Sequence, residues 1–397
     1  MSVDSPAEIR VSPRFLQVAE LESALSQCGA LDSHRHRFLR AWLLNRPFSA
    51  GRSVPERFYP RPICEQGPEW LAALHDLVSP VSNHPGEDGS ERWLYALHDG
   101  LTVESVWLPR EGVCVSTQVG CAVGCRFCMT GQEGLLRQLG SAEIVAQVVR
   151  ARQARPVRKV VFMGMGEPAH NLEAVLEAIQ ALGTHGGLAH KQLVFSTVGD
   201  PRAFEALPRQ RVKPALALSL HTTRHGLRRE LLPRAPDLSP QALVDEAERY
   251  ARATGYPVQV QWTLLEGVND SDDEMDALAT LLQGHLAMVN LIPFNAVEGS
   301  GFQRPSWERA ADLARQLNRR GVLTRLRRSA GQDVDGGCGQ LRARQAAAPE
   351  VRISADSVRR SRLEHRQHRQ HHATQEAVEH QGGAVAPVLN GPPLPLG

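Results

Sequence analysis

The stretch Cys121-Ala-Val-Gly-Cys125-Arg-Phe-Cys128 places three cysteines within eight residues, spaced C-x3-C-x2-C. A closed structural zinc site shows four ligands, commonly in two separated pairs. Three clustered thiolates suit instead a four-iron cluster on a tight loop, in which one iron keeps no protein ligand and can bind a small molecule. Gly120 and Gly124 let the backbone fold closely there, and Phe127 can shield the cluster. The alternative is a zinc knuckle that borrows a histidine, but no histidine lies between Glu111 and Ala169.

Working outward, residues 141–326 show a βα rhythm. Helices are expected at 142–152 with Ser141 as N-cap, 172–182, 201–206, 239–253 with Pro240 at its first position, 271–283 and 306–318. Ser271-Asp272-Asp273-Glu274 reads as a capping box. Strands are expected at 158–163, 192–196, 214–219, 258–265, 288–292 and 322–326, with a first one at 113–117 running into the cysteine loop. About six strands alternating with helices argue for parallel βαβ units, with chemistry at the carboxyl ends of the strands. Periodicity alone does not separate an open barrel from a doubly wound sheet.

Those strand ends carry residues that a buried wall does not need: Met163-Gly164-Met165-Gly166-Glu167-Pro168, Ser196-Thr197-Val198-Gly199, Ser219-Leu220-His221 and Pro293-Phe294-Asn295. Converging on one mouth, they could hold a nucleoside and an amino acid, Glu167 serving an amine. Ordinary strand-end capping is the alternative for each.

Upstream, Trp93 to Leu97 and Thr102 to Leu108 read as a hairpin leading into the core. By alternation Glu104 shares a face with Thr102 and Val106, where its carboxylate could be partly buried, a setting for a base; an ordinary solvent-exposed strand glutamate is the alternative. Residues 1–95 read as a small helical domain with helices at 18–25 and 38–44. Its interleaved Arg35, Arg37, Phe38, Arg40, Trp42, Arg46, Phe48, Arg52, Arg57, Phe58 and Tyr59 suit RNA contact or a solvated basic face. Cys28 and Cys64 have no metal-like spacing. Residues 96–345 form the core domain. Residues 346–397, with His365, His368, His371, His372 and His380 among arginines and glutamines, read as a disordered tail.

The net charge of +2 announces no partner by itself, but arginines cluster at 202–213, 224–229 and 315–328, as phosphate neutralisation requires. The acidic first residues lack a signal peptide's apolar core, and no apolar run reaches membrane-spanning length, so a cytoplasmic chain is expected. Seven cysteines in such a chain point to metal or redox chemistry. Cys338 lies in the glycine-rich run Asp333-Val-Asp-Gly-Gly-Cys-Gly-Gln-Leu341, and Cys114 just precedes the cluster loop. Two spare thiols near one site suggest covalent sulfur chemistry or a transient disulfide; a fourth cluster ligand or a bystander is the other reading.

The cysteine triad, Val103-Glu-Ser-Val106, Cys114-Val-Ser-Thr-Gln-Val-Gly-Cys121, Phe127-Cys-Met-Thr-Gly131, Met163–Pro168, Ser219-Leu-His221, Gly267-Val-Asn-Asp270, Asn290-Leu-Ile-Pro-Phe-Asn295 and Asp333–Leu341 together resemble the RlmN/Cfr family of radical S-adenosylmethionine (SAM) RNA adenine methyltransferases. The resemblance runs from about 103 to 341 and implies an α/β fold, a partial (βα)6-type radical SAM barrel. It implies a [4Fe-4S] cluster on Cys121, Cys125 and Cys128, with SAM on the open iron and contacted by Gly166, Glu167, Ser196, Ser219, Leu220, His221 and Asn295. One SAM methylates Cys338; a second yields a 5′-deoxyadenosyl radical that takes a hydrogen from that methyl, and the carbon radical adds to an adenine ring carbon. Glu104 is then the proton acceptor, and Cys114 resolves the protein–RNA thioether through a transient disulfide with Cys338. The implied partners are an RNA substrate, an external one-electron donor and a thiol reductant, with no membrane and a monomeric chain. The implied target is carbon 2 of a 23S rRNA adenine, and in some relatives of a tRNA adenine. A carbon 8 enzyme of the antibiotic-resistance type and a non-catalytic RNA-binding protein are the alternatives.

Overall fold

Short runs of valine, leucine, phenylalanine and alanine supply the central strands of the computed structural model, which describes residues 13–132, 134–295 and 300–327. These all fall in one compact unit. Four helices come first: α1 (Val18–Gln27), α2 (Asp32–Leu43), α3 (Pro55–Phe58) and α4 (Arg61–His75). Three antiparallel strands follow, β1 (Ser79–Pro85), β2 (Glu91–Ala96) and β3 (Thr102–Leu108), and β3 turns back into β4 (Gly112–Cys114). A two-stranded ribbon, β5 (Gln118–Gly120) and β6 (Leu135–Gln138), brackets the cysteine loop and the short α5 (Met129–Gln132).

The repeats then run α6 (Ser141–Ala154), β7 (Lys159–Phe162), α7 (Leu172–Thr184), β8 (Leu193–Thr197), α8 (Pro201–Ala206), β9 (Ala215–Ser219), α9 (His225–Leu231), α10 (Pro240–Thr254), β10 (Val258–Leu264), α11 (Asp272–Leu281), β11 (Ala287–Pro293), α12 (Trp307–Arg319) and β12 (Thr324–Leu326). One sheet holds them in the order β1-β2-β3-β4-β7-β8-β9-β10-β11-β12. Every pairing from β4 to β12 is parallel, and among the described residues β12 bonds to β11 alone, leaving the barrel open there. This is the expected partial (βα)6-type barrel, with β12 added at its edge and an antiparallel annex before its first strand.

The core is continuous from the first helices into the barrel. Phe38, Trp42, Trp70, Phe162, Phe195 and Trp262 are all fully or almost fully buried within it. Helices α1, α2 and α4 pack on α6 and α7. This docking alters one expected cap. Gly140, not Ser141, is the N-cap of α6. A Cβ at residue 140 would lie 2.1 Å from the Leu16 carbonyl oxygen, so only glycine fits. The Ser141 hydroxyl is turned outward to accept the Val18 N–H at 2.7 Å. The box at 271–274 is half formed. Ser271 Oγ accepts the Glu274 N–H, but the Glu274 carboxylate serves Thr222, Thr223 and Arg224 instead. The 346–397 tail lies outside the described residues.

Candidate active site

The ribbon β5–β6 fixes the cysteine loop. Gly120 sits at φ +81, where a Cβ would meet the Gly134 carbonyl oxygen at 1.9 Å. The Cys121 N–H donates to that same oxygen at 2.9 Å, and the Cys128 N–H closes a turn onto the Cys125 carbonyl at 3.0 Å. All three thiols line one cavity of about 850 Å³, in the upper part of the usual range for ligand sites. Burial pushes Cys121 up to about 12 and also raises Cys125 and Cys128, each with a neighbouring thiol adding to the effect in the first two. Such thiolates are stable only against bound positive charge, and this donor set fits an iron–sulfur cluster. Among the described residues no group of three His, Cys, Asp or Glu is arranged to hold a single metal ion.

The strand ends reach the same cavity. Gly164, Gly166, Glu167, Ser196, Ser219, His221 and Asn295 all line it. Gly164 must be glycine, since a Cβ would meet the Val115 backbone at 2.7 Å. Gly166 lies at φ +102 against Gln118, whose Oε1 accepts the Glu167 N–H at 2.7 Å. Burial lifts Glu167 to about 7, although the Thr197 hydroxyl and the N–H groups of Ala169 and Val198 oppose the shift. A bound ammonium group would restore its charge.

His221 occupies a left-handed backbone conformation at φ +66. Its Nδ1 accepts the Thr263 N–H at 3.0 Å, so Nε2 carries the proton in the neutral ring. Burial, then Arg228, drives its pKa down to about 3. Phe127 packs edge-on against the imidazole at 4.8 Å. Leu220 differs from the rest: its side chain is in the main core, so only its backbone is near the strand end.

Sequence reasoning missed two residues that brace this arrangement. Asn269 is fully buried, donates to the carbonyls of His221 and Thr263 at 2.7 and 2.8 Å, and accepts the Leu265 N–H. Its place in a Gly-Val-Asn-Asp turn was the available signal. Arg228, read as part of a basic RNA-facing cluster, is 3% exposed. Its Nη2 donates to the Val198 and Ser219 carbonyls, tying together the ends of β8 and β9. Burial lowers its pKa to about 10 against the pull of Cys125 and Glu167. The apolar i−1 and i+3 neighbours Leu227 and Leu231 were the only hint that it turns inward.

Cys114, on β4 beside β7, is buried and lines the cavity, whereas Glu104 is not among the residues that line it. Glu104 is buried on β3 and paired with Arg92, Nη1 to Oε2 at 3.0 Å. Its charge reaches Cys128. Cys338 lies outside the described residues.

The basic clusters are largely committed elsewhere. Arg202 pairs with Asp200, Arg209 with Glu205, Arg224 with Glu274, and Arg315 with Asp312. In the first helices Phe38, Trp42 and Tyr59 belong to the core, and Phe48 stacks on Tyr59. They are thus not base-stacking platforms; Arg46, Arg52 and Arg57 remain exposed.

Comparison with known proteins gives consistent relatives. The radical SAM superfamily profile matches residues 115–279. A probable RNA methyltransferase of Thiobacillus denitrificans is 62% identical over 336 residues, covering 85% of this chain and 93% of that protein. A probable RNA methyltransferase of Pseudomonas aeruginosa is 61% identical over 327 residues, covering 82% and 94%. The crystal structure of a radical SAM methyltransferase from Sphaerobacter thermophilus is 34% identical, with a TM-score of 0.69, and the match covers 84% of this chain and 99% of that one.

Proposed function

The chain belongs to the RlmN/Cfr family of radical SAM RNA methyltransferases, and from that premise we propose that it methylates a ring carbon of an adenine in RNA, carbon 2 of a 23S rRNA adenine first and a tRNA adenine second. The observation that carries this reading is the common cavity. Cys114, a cysteine outside the triad, lines it together with Cys121, Cys125 and Cys128. Ordinary polar transfer from SAM needs a nucleophile, and an adenine ring carbon offers none.

Cys121, Cys125 and Cys128 would hold the cluster, and Gly166, Glu167, Ser196, Ser219, the Leu220 backbone, His221 and Asn295 would hold SAM. Bound there, cluster and SAM supply hydrogen-atom abstraction from an unactivated methyl group. The protein's own groups do the rest. Cys338 carries the methyl carbon on its sulfur and delivers it to the ring. Glu104, held by Arg92, accepts the ring proton. The Cys114 thiolate attacks the Cys338 sulfur, the sulfur–carbon bond breaks with its electron pair going to carbon, that carbon takes a proton to become the methyl group, and the methylated base leaves. The resulting disulfide is reopened by an external thiol reductant, and the electron for each cycle comes from an external one-electron donor.

The test is mass spectrometry of digested RNA after anaerobic reaction of reconstituted protein with SAM, using 23S rRNA fragments and tRNA. 2-Methyladenosine is the expected product. 8-Methyladenosine would replace the carbon 2 assignment, and no methyladenosine despite SAM cleavage would overturn the RNA substrate.

A further inference from the structure

The cavity has a second end, built differently from the cysteine loop. Alternation along β7 points Lys159, Val161 and Met163 into it. Lys159 pairs with Gly112 and Val161 with Cys114, so Lys159 lies one alternate-residue step, about 7 Å, from the level of Cys114. Arg325 of β12 and Arg327 just after it line the same cavity, near enough to Lys159 for their charges to act on it. Arg327 is fixed by its Nε, which donates to Oδ1 of the fully buried Asn290 at 3.0 Å.

These three cations feel one another. Burial lowers the pKa of Lys159, and Arg327 and Arg325 lower it further; Arg325 acts on Arg327 in the same sense. Among the described residues no carboxylate forms an ion pair with any of them. The acids lining the cavity among the described residues are Asp88, engaged with Ser90, and Glu167 at the strand ends beyond Met163. Like charges gathered on a cavity wall without a counter-ion repel, and an anion relieves that repulsion. Between the cations and the strand ends, Val106, Leu108, Val161 and Met163 form an apolar band around Cys114. A band beside cations matches a nucleotide: a flat ring against the apolar wall and a phosphate on the cations.

We propose that Lys159, Arg325 and Arg327 form a phosphate seat that holds a phosphodiester of the RNA at the target nucleotide, while its base lies against the apolar band beside Cys114. The proposal rests on RNA being the substrate. Lys159, Arg325 and Arg327 are distinct from the residues proposed to hold SAM and the cluster.

The experiment measures binding of adenosine 5′-monophosphate, adenosine and a short RNA hairpin to the reconstituted holoprotein. The monophosphate is expected to bind about tenfold tighter than adenosine. Lys159→Gln combined with Arg325→Gln should remove that advantage, leave adenosine binding in place and flatten the salt dependence of hairpin binding by about 0.7 in log–log slope. Lys159→Arg should retain the advantage. A neutral methylphosphonate at the target nucleotide should weaken hairpin binding about tenfold in the unmutated protein; this arm needs no variant. Equal affinities for monophosphate and adenosine, or an advantage that survives the double substitution, would overturn the seat. Inorganic phosphate displacing the monophosphate while the methylphosphonate hairpin binds unimpaired would assign the cations to free phosphate and overturn the RNA role. A monophosphate advantage in a protein that methylates no RNA would support the seat and refute the reaction.

Discussion

Arg92 and Glu104 meet diagonally across neighbouring strands, Nη1 to Oε2 at 3.0 Å, with each side chain only 2% exposed. The register sets Leu94, not Arg92, opposite Glu104, so the arginine reaches two residues along β2 to make the pair. Arg92→Leu takes this counter-charge from a buried carboxylate and should cost about 3–5 kcal/mol, read by denaturant unfolding. Glu104→Gln should keep SAM cleavage and lose methyl transfer by a factor of about 10²–10⁴. Unchanged transfer would remove Glu104 as the proton acceptor.

The two spare cysteines separate by phenotype. Cys338→Ala should abolish methyl transfer while the cluster's absorption persists; a lost cluster would sink the carrier role. Cys114→Ala should leave a covalent protein–RNA adduct, visible as a shifted band on denaturing gels. Normal product release without an adduct would sink the resolving role.

Gly166→Ala introduces a Cβ at 2.6 Å from the Gln118 side chain, at a backbone φ of +102. The strain costs about 1–3 kcal/mol and displaces the Gln118–Glu167 hydrogen bond. SAM affinity should fall roughly tenfold, measured by equilibrium binding to the reconstituted protein. Undiminished affinity would show that the turn tolerates a side chain and that the glycine is not required for close approach.

His36 on α2 and His185 after α7 place their Nδ1 atoms 2.8 Å apart, so one ring must donate to the lone pair of the other. Burial, then His36, Arg40 and Arg211, lowers His185 to about 4; His36 is lowered as well. The folded value lies below the unfolded one of 6.5, so the unfolded chain binds more protons between about pH 6.5 and 4. Stability from this pair is intact above pH 6.5 and declines as pH falls toward 4. The melting temperature should drop by about 2–4 °C over that range from this source, and His185→Gln should flatten the decline.

What the sequence made legible was the repeating part. The strands around Val160, Phe195, Leu216, Val260 and Val289 are buried on both faces, so they appear as apolar runs between amphipathic helices. The cysteine loop and the strand-end residues stood out through their glycines, cysteines and polar groups, and most of them line one cavity. Helix α4 was not legible: Gly67 and Pro68 are breaker signals, overridden because Gly67 admits Phe48 and Phe38 against the helix. Arg228 and the Arg92–Glu104 pair were illegible for another reason. Burial of a charge depends on partners distant in sequence, and no local pattern distinguishes such an arginine from a solvated one.

β4 bonds to the antiparallel annex on one side and to the first parallel neighbour on the other. A single ladder of backbone hydrogen bonds therefore runs from β1 to β12, and no hinge separates the annex from the barrel. The wall bearing Glu104 cannot swing away from the wall bearing the strand ends without tearing that ladder. Under the proposed reaction it is then the RNA that deforms, unstacking and everting its adenine into the opening, so target choice would fall to sequences and structures in which that eversion is cheap.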